Sequence, residues 1–298
     1  MKYQSIFNLC LLTVFLLVVS AGCSDWTDME IHDSEVKGAK EQNPAQYAAY
    51  TQNLRAYKAT KHALVYARFD NAPEKSGSEK DFLRALPDSM DIVSMRNADR
   101  LSQFDREDMA LVRNDYGTRV LYYVDASLTE SLNAKITAAA DAVRAGTFDG
   151  ITLASVSAVD AITIKALTDA LGQNKCLLVF EGTPSLLPES SRSLFDYFVL
   201  DVSTAVDEYD IEAAVLFATD YGRTSAEHLL LAVLPGRTLT DYGGVTRNSI
   251  AGAAHSVLQM GPLGGVAIYH ISADYYDADI IYKQTRGGIQ LLNPASAH

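Results

Sequence analysis

The strongest constraint on this chain is a rhythm of eight short apolar runs, each followed by a stretch with helical patterning. The runs occupy residues 63–69, 90–95, 119–124, 148–154, 176–180, 197–202, 229–234 and 266–271. Most begin about 27 to 37 residues after the one before, with one shorter step ahead of Tyr197. Several are almost continuously apolar, such as Cys176-Leu177-Leu178-Val179-Phe180. That composition suits parallel strands covered on both faces. Start signals mark the helical stretches: Ser127 to Glu130 reads as a capping box, and Ser157 to Asp160 as a weaker one. Eight strand-helix units in about 230 residues predict an α/β fold, a single-domain (β/α)8 TIM barrel. An open doubly wound sheet is the alternative. It would normally carry a glycine-rich phosphate turn after the first strand, and Phe69-Asp70-Asn71-Ala72 is not one.

The barrel accounts for residues 46–298, and two segments precede it. Residues 1–22 read as a signal peptide, with Lys2 ahead of an apolar stretch of about 14 residues, short for a span that needs roughly 20. Ser20-Ala21-Gly22-Cys23 resembles a bacterial lipobox, which makes Cys23 the expected lipidation site and residues 23–45 a lipidated tether. The acidic residues directly after Cys23 resemble the surface-export signal of Bacteroidetes lipoproteins. Attachment would come from acyl chains, each buried methylene contributing about 0.8 kcal/mol. Cys176 is then the one cysteine left in the domain, expected as a small core residue and not a nucleophile.

The formal charge of −12 leaves no basic footprint for nucleic acid. Six histidines without an H-E-x-x-H pattern or a Cys/His cluster give no reason to expect a metal, and no cofactor motif is present.

The fourth run is the most telling: Phe148-Asp149-Gly150-Ile151-Thr152-Leu153-Ala154-Ser155-Val156. It resembles the fourth barrel strand of glycoside hydrolase family 18, the chitinases and endo-β-N-acetylglucosaminidases, which reads roughly F-D-G-x-D-x-D-x-E. The family's acids lie two apart and so project to one face of the strand. Here those positions hold Thr152, Ala154 and Val156, so the motif is degenerate. By resemblance, the last acid protonates the leaving oxygen while the substrate's own acetamide attacks, an exception to the two-carboxylate scheme. Val156 cannot donate a proton, and Ala154 cannot stabilise a cation. Weaker likenesses are Asp91 to Ser94 in the second strand and Gly265 to Tyr269 in the eighth, where the family usually has Trp at the place of Tyr269.

In such a barrel ligands sit at the carboxyl ends of the strands. The chain's only tryptophan is Trp26, so any stacking platform must be tyrosine. The candidate glycan contacts are Tyr123, Asp125, Glu181, Asp201, Tyr242, Tyr269, Asp274 and Tyr275, with Arg68, Asp70 and His270 also near strand ends. The resemblance implies a lipid-anchored outer-membrane protein that binds N-acetylglucosamine-containing glycans such as N-glycans without cleaving them, beside outer-membrane glycan-uptake proteins. The alternative is a hydrolase with a relocated acid, Glu181 or Asp125; burial at the end of an apolar strand would raise the Glu181 pKa.

Overall fold

The computed structural model describes residues 38–294, apart from residues 73 and 129. The chain divides into two units, Met1–Ala48 and Ala49–His298. The expected signal peptide, Cys23 and most of the expected tether lie outside the described residues. Of the first unit, the short helix α1 (Ala39–Gln42) and the opening turn of α2 (Pro44–Lys58) are described. Pro44 opens α2, where its missing N–H costs nothing, and the Asn43 side chain accepts from the Gln46 N–H at 3.2 Å.

The second unit is a closed barrel of eight parallel strands: β1 (Leu64–Phe69), β2 (Ile92–Met95), β3 (Arg119–Asp125), β4 (Gly150–Ala154), β5 (Leu177–Glu181), β6 (Tyr197–Asp201), β7 (Leu229–Val233) and β10 (Gly265–Ile268). Each of the eight apolar runs overlaps one strand. β1 pairs with both β2 and β10, and that closure rules out the open sheet. A two-stranded hairpin, β8 (Thr238–Thr240) with β9 (Thr246–Asn248), is inserted after β7.

Helices α3 (Gln103–Asn114), α4 (Leu132–Arg144), α5 (Ala161–Leu171), α6 (Glu208–Leu216), α7 (Ser249–Gln259) and α8 (Lys283–Leu292) follow β2, β3, β4, β6, β7 and β10. The crossovers after β1 and β5 contain only short 3₁₀ turns among the described residues, so two of the eight expected helices are missing. Pro184 and Pro188 fall where a helix after β5 would begin, and proline permits at most a first turn. The start signals also shift. Asp160, not Ser157, caps α5 by accepting from the Thr163 N–H at 2.7 Å. α4 begins only after Ser131, far past Ser127.

Alternation along the strands sorts two cores. Val65, Ala67, Phe69, Ile151, Leu153 and Phe180 point outward into the layer under the helices. Tyr66, Ile92, Leu121, Val179, Val199 and Leu230 fill the bore.

The amino ends of the strands are braced by a repeated device. Asp91, Asp149 and Asp196 each stand just before a strand and accept the N–H of a residue on the preceding strand. The acceptor distances are 2.8 Å from Val65, Val120 and Leu178. Asp149 also holds Arg113 through both carboxylate oxygens, at 2.8 and 3.0 Å. Next to it, a Cβ on Gly150 would lie 1.9 Å from the Leu177 carbonyl oxygen, so only glycine fits. Phe148 packs edge-on against Tyr122 at 5.2 Å between ring centroids. The Phe-Asp-Gly frame of β4 is therefore structural in this chain, because all three residues work at the amino end of the barrel.

Candidate functional site at the carboxyl mouth

At the opposite end, the inward positions that terminate β1, β3, β4, β5, β6 and β10 surround a cavity of about 230 Å³. Arg68, Tyr123, Asp125, Ala154, Glu181, Asp201 and Tyr269 line it, with Ser155 and Val156 continuing from β4. Five residues expected there from sequence thus meet in one place: Tyr123, Asp125, Glu181, Asp201 and Tyr269.

The centre of the mouth is filled by a side-chain cluster that bridges opposite walls. β1 and β5 face each other across the ring. From β1, Arg68 donates through Nη1 to Glu181 Oε2 on β5 at 3.1 Å, and Tyr66 donates to Glu181 Oε1 at 2.6 Å. The Arg68 guanidinium lies 3.6 Å from the centroid of the Tyr269 ring, a close cation–π contact. The Tyr66 and Thr152 hydroxyls are 3.3 Å apart. Thr152 thus spends its one polar group inside the cluster.

Electrostatics follow from this packing. Glu181 is only 5% exposed, and burial raises its pKa; the charge of Arg68, then hydrogen bonds from Tyr66, Arg68 and Tyr269, oppose that rise. Burial likewise lifts the Tyr66 and Tyr269 hydroxyls well above their ordinary value and pushes Tyr123 up to about 12. The pair Arg68–Glu181 is close to neutral as a unit, so it presents little net field to a cation. Asp125 and Asp201 each accept a backbone N–H two residues ahead, from Ser127 and Ser203, and no cation pairs with either among the described residues.

Several expectations are corrected here. Tyr269 is only 4% exposed and its face is covered by Arg68, so it is a floor residue and not an open platform. Asp274 is buried and caps α8, accepting from the Thr285 N–H at 2.7 Å, which uses the carboxylate for structure. Tyr275 packs edge-on against Tyr282 at 5.3 Å and does not line the mouth. Tyr242 stands on the turn between β8 and β9, hydrogen-bonded to Glu212 at 3.0 Å and outside the cavity lining. Asp70 pairs with Arg96 and His270, not with Arg68. Val156 is 89% exposed and bonded through its backbone N–H to Ser127.

Sequence reading placed Arg68 near a strand end but missed its central role. The available signal was the inward alternation Tyr66, Arg68 on β1. Cys176 is half-buried with its thiol pushed up to about 11 by burial, which keeps it protonated and unreactive. Among the described residues no group of acids, histidines and cysteines has the spacing to hold a metal ion. A larger cavity, about 450 Å³, opens at the amino ends of the strands. Its carboxylates Asp91, Asp149 and Asp196 are the ones already committed to bracing strands, so the mouth is the better functional site despite its smaller volume.

Comparison with known proteins bears on the same end of the barrel. A family model described as "Glycoside hydrolase family 18, BT1044-like" matches residues 27–152. Among solved structures, a glutamate-to-glutamine variant of BT1044 aligns with TM-score 0.68 at 18% identity, covering 87% of this chain and 96% of that one. An endo-β-N-acetylglucosaminidase from Cordyceps militaris aligns with TM-score 0.59 at 16% identity, covering 83% and 96%. A second structure of the Cordyceps enzyme is a mutant with two acids replaced, an aspartate and a glutamate two positions apart, in complex with fucosyl-N-acetylglucosamine-Asn. The family 18 chitinase ChiB from Flavobacterium johnsoniae aligns with TM-score 0.52 at 12% identity, covering 78% and 94%. At these identities the structural likeness speaks for the fold. No curated protein sequence matches significantly. In sequence over residues 27–152 and in fold over the barrel, the chain is glycoside hydrolase family 18-like.

Proposed function

We propose that this protein binds N-acetylglucosamine-containing glycans at the mouth of its barrel without hydrolysing them, while held at the outer membrane surface through lipid on Cys23. The observation that carries the non-catalytic reading is the Arg68–Glu181–Tyr66 cluster. It occupies the centre of the mouth, and the adjacent strand offers Thr152, Ala154 and Val156 in place of three acids. Family 18 chemistry, by resemblance, passes through a cationic sugar and needs a proton donor; general acid catalysis alone is commonly worth about 10²–10⁴-fold. Here the position of the donor is a hydrocarbon, and the buried carboxylate of the mouth, Glu181, is tied to a guanidinium. Support for the ligand class comes from the Cordyceps complex with a fucosylated N-acetylglucosamine, and from a mouth whose rim carboxylates Asp125 and Asp201 are free of cations and suited to sugar hydroxyls.

The second reading is a hydrolase with Glu181 as relocated acid. Its raised pKa favours that role. Against it, both carboxylate oxygens already accept hydrogen bonds from the chain itself. Isothermal titration with chitin oligomers and N-glycans, run beside an assay for released sugar, separates the readings. Binding without product is expected. Turnover that Glu181→Gln abolishes would establish the relocated acid and end the non-catalytic reading.

A further inference from the structure

We infer that a rigid aromatic ledge beside the mouth, formed by Tyr209 and Tyr242, takes a pyranose ring from the outer part of a long, neutral oligosaccharide. The inference rests on the glycan-binding reading and extends it to a second contact. Sugar recognition needs an aromatic face turned to the apolar side of a ring. At the mouth those faces are taken: Tyr66 is fully buried, Tyr269 lies under Arg68, and the Arg96 guanidinium sits 5.6 Å from the Tyr123 ring centroid. Tyr209 and Tyr242 remain 64% and 44% exposed, with ring centroids 4.8 Å apart and planes at 72°.

Neither ring serves the core, yet both are held firmly. Tyr209 follows the cap of α6, where Asp207 accepts from the Tyr209 and Asp210 N–H groups at 3.0 and 3.1 Å. The Tyr242 N–H donates to Glu208 at 2.9 Å, and Glu208 is itself buried beneath His255 and Ser256. Asp207 further bridges to Thr240 of the hairpin, locking the loop after β6 to the loop after β7. Two exposed rings fixed in advance lose little freedom when a ligand covers them, which is what preorganised binding requires.

The loop after β6 starts at Asp201, a lining residue of the cavity, and leads to Tyr209 on α6. Its charge names the ligand class. Asp207, Asp210 and Glu212 neighbour Tyr209 at the start of α6, Glu212 accepts from the Tyr242 hydroxyl, and Asp241 precedes Tyr242, while the nearby Arg247 is already paired with Asp241. Sialylated or sulfated sugars are repelled by such a rim, whereas carboxylates accept from neutral sugar hydroxyls.

The test is isothermal titration of the full chain and of Tyr209→Ala with three N-glycans: a trimannosyl-chitobiose core, the same core with neutral N-acetyllactosamine arms, and its sialylated form. The inference predicts tighter wild-type binding of the neutral extended glycan than of the core, and weaker binding of the sialylated one. Tyr209→Ala should lose about fivefold or more on the extended glycan, as expected for one aromatic contact, and nothing on the core. Tyr209→Phe should behave as wild type, which excludes a loss through the hydroxyl. Equal binding of the extended glycan by wild type and Tyr209→Ala would overturn the ledge alone. An equal loss on core and extended glycan would overturn it by moving the effect to the mouth. No binding of any glycan by the wild type would remove both the ledge and the reading beneath it.

Discussion

Replacing Arg68 by methionine tests the account of the mouth most directly, because the variant keeps an unbranched stem over Tyr269 and removes the charge. In the native protein the Glu181 carboxylate has a cation at 3.1 Å and a phenol at 2.6 Å. Arg68→Met leaves it buried with only the Tyr66 and Tyr269 phenols to donate to it. Breaking a buried ion pair by removing one partner costs about 3–5 kcal/mol. Tyr66 still donates and the Arg68 side chain is 17% exposed, so the lower end, about 3 kcal/mol near neutral pH, is expected. For a barrel of this size that corresponds to a melting temperature lower by roughly 6–12 °C. The pH dependence supplies the sharper check. Burial already holds the Glu181 pKa above its ordinary value, and the charge of Arg68 is the largest opposing influence. Without Arg68 the folded pKa climbs further, while the unfolded chain keeps an ordinary carboxylate near about 4.3. A raised folded pKa contributes stability that is complete below the unfolded value and is lost as pH rises through the folded value. The penalty in Arg68→Met should therefore be small near about pH 4, where Glu181 is protonated, and greatest near about pH 7.5. Urea unfolding followed by far-UV circular dichroism at both pH values measures it. An equal penalty at the two, or one below about 1 kcal/mol at neutral pH, would show that Arg68 does not support a buried charge.

Restoring the family's acids one at a time should give unequal results. Thr152→Asp places a carboxylate in a fully buried site beside Tyr66 and Glu181, so a loss of about 2 kcal/mol or more is expected in the same unfolding assay. Val156→Glu, at an 89% exposed position, should stay within about 0.5 kcal/mol of wild type. Gly150→Ala drives a Cβ against the Leu177 carbonyl oxygen and should destabilise by about 1–3 kcal/mol, read as a lower urea midpoint with unchanged slope. Cys23→Ala should release the protein from the membrane fraction or stall removal of the signal peptide; unchanged fractionation and processing would count against a lipid anchor.

The strands were legible because burial on both faces leaves a signature that needs no partner to interpret: runs such as Leu229 to Val233 are apolar throughout, and every one of those residues is buried. The crossovers were less so. Two of them lack an α-helix for a local reason, prolines in the loop after β5 and a loop after β1 with prolines of its own at positions 73 and 87, yet a rhythm of strand starts is insensitive to what fills the gap. Helix starts slipped for a similar reason. Serine, threonine and aspartate near a boundary all can cap, and the chain chose Asp160 over Ser157.

The site was legible in its members but not in their pairing. Alternation assigns Arg68 and Glu181 to the inner face, whereas their meeting depends on β1 and β5 standing opposite one another in a closed ring. Neighbouring strand ends would favour Asp70 after β1 or Asp274 after β10 as partners for Arg68, and both are engaged elsewhere. The fourth strand divides its residues between the two ends of the barrel. Asp149 and Gly150 sit at the amino end, where one accepts the Val120 N–H and the other lets Leu177 approach. Any change there is charged against folding. Thr152, Ala154 and Val156 lead toward the carboxyl end, where side chains meet ligand and solvent, and where a bridge such as Arg68–Glu181 can close the bore without them. In β4 the Phe-Asp-Gly frame thus serves folding, while Thr152, Ala154 and Val156 bring no carboxylate to the mouth.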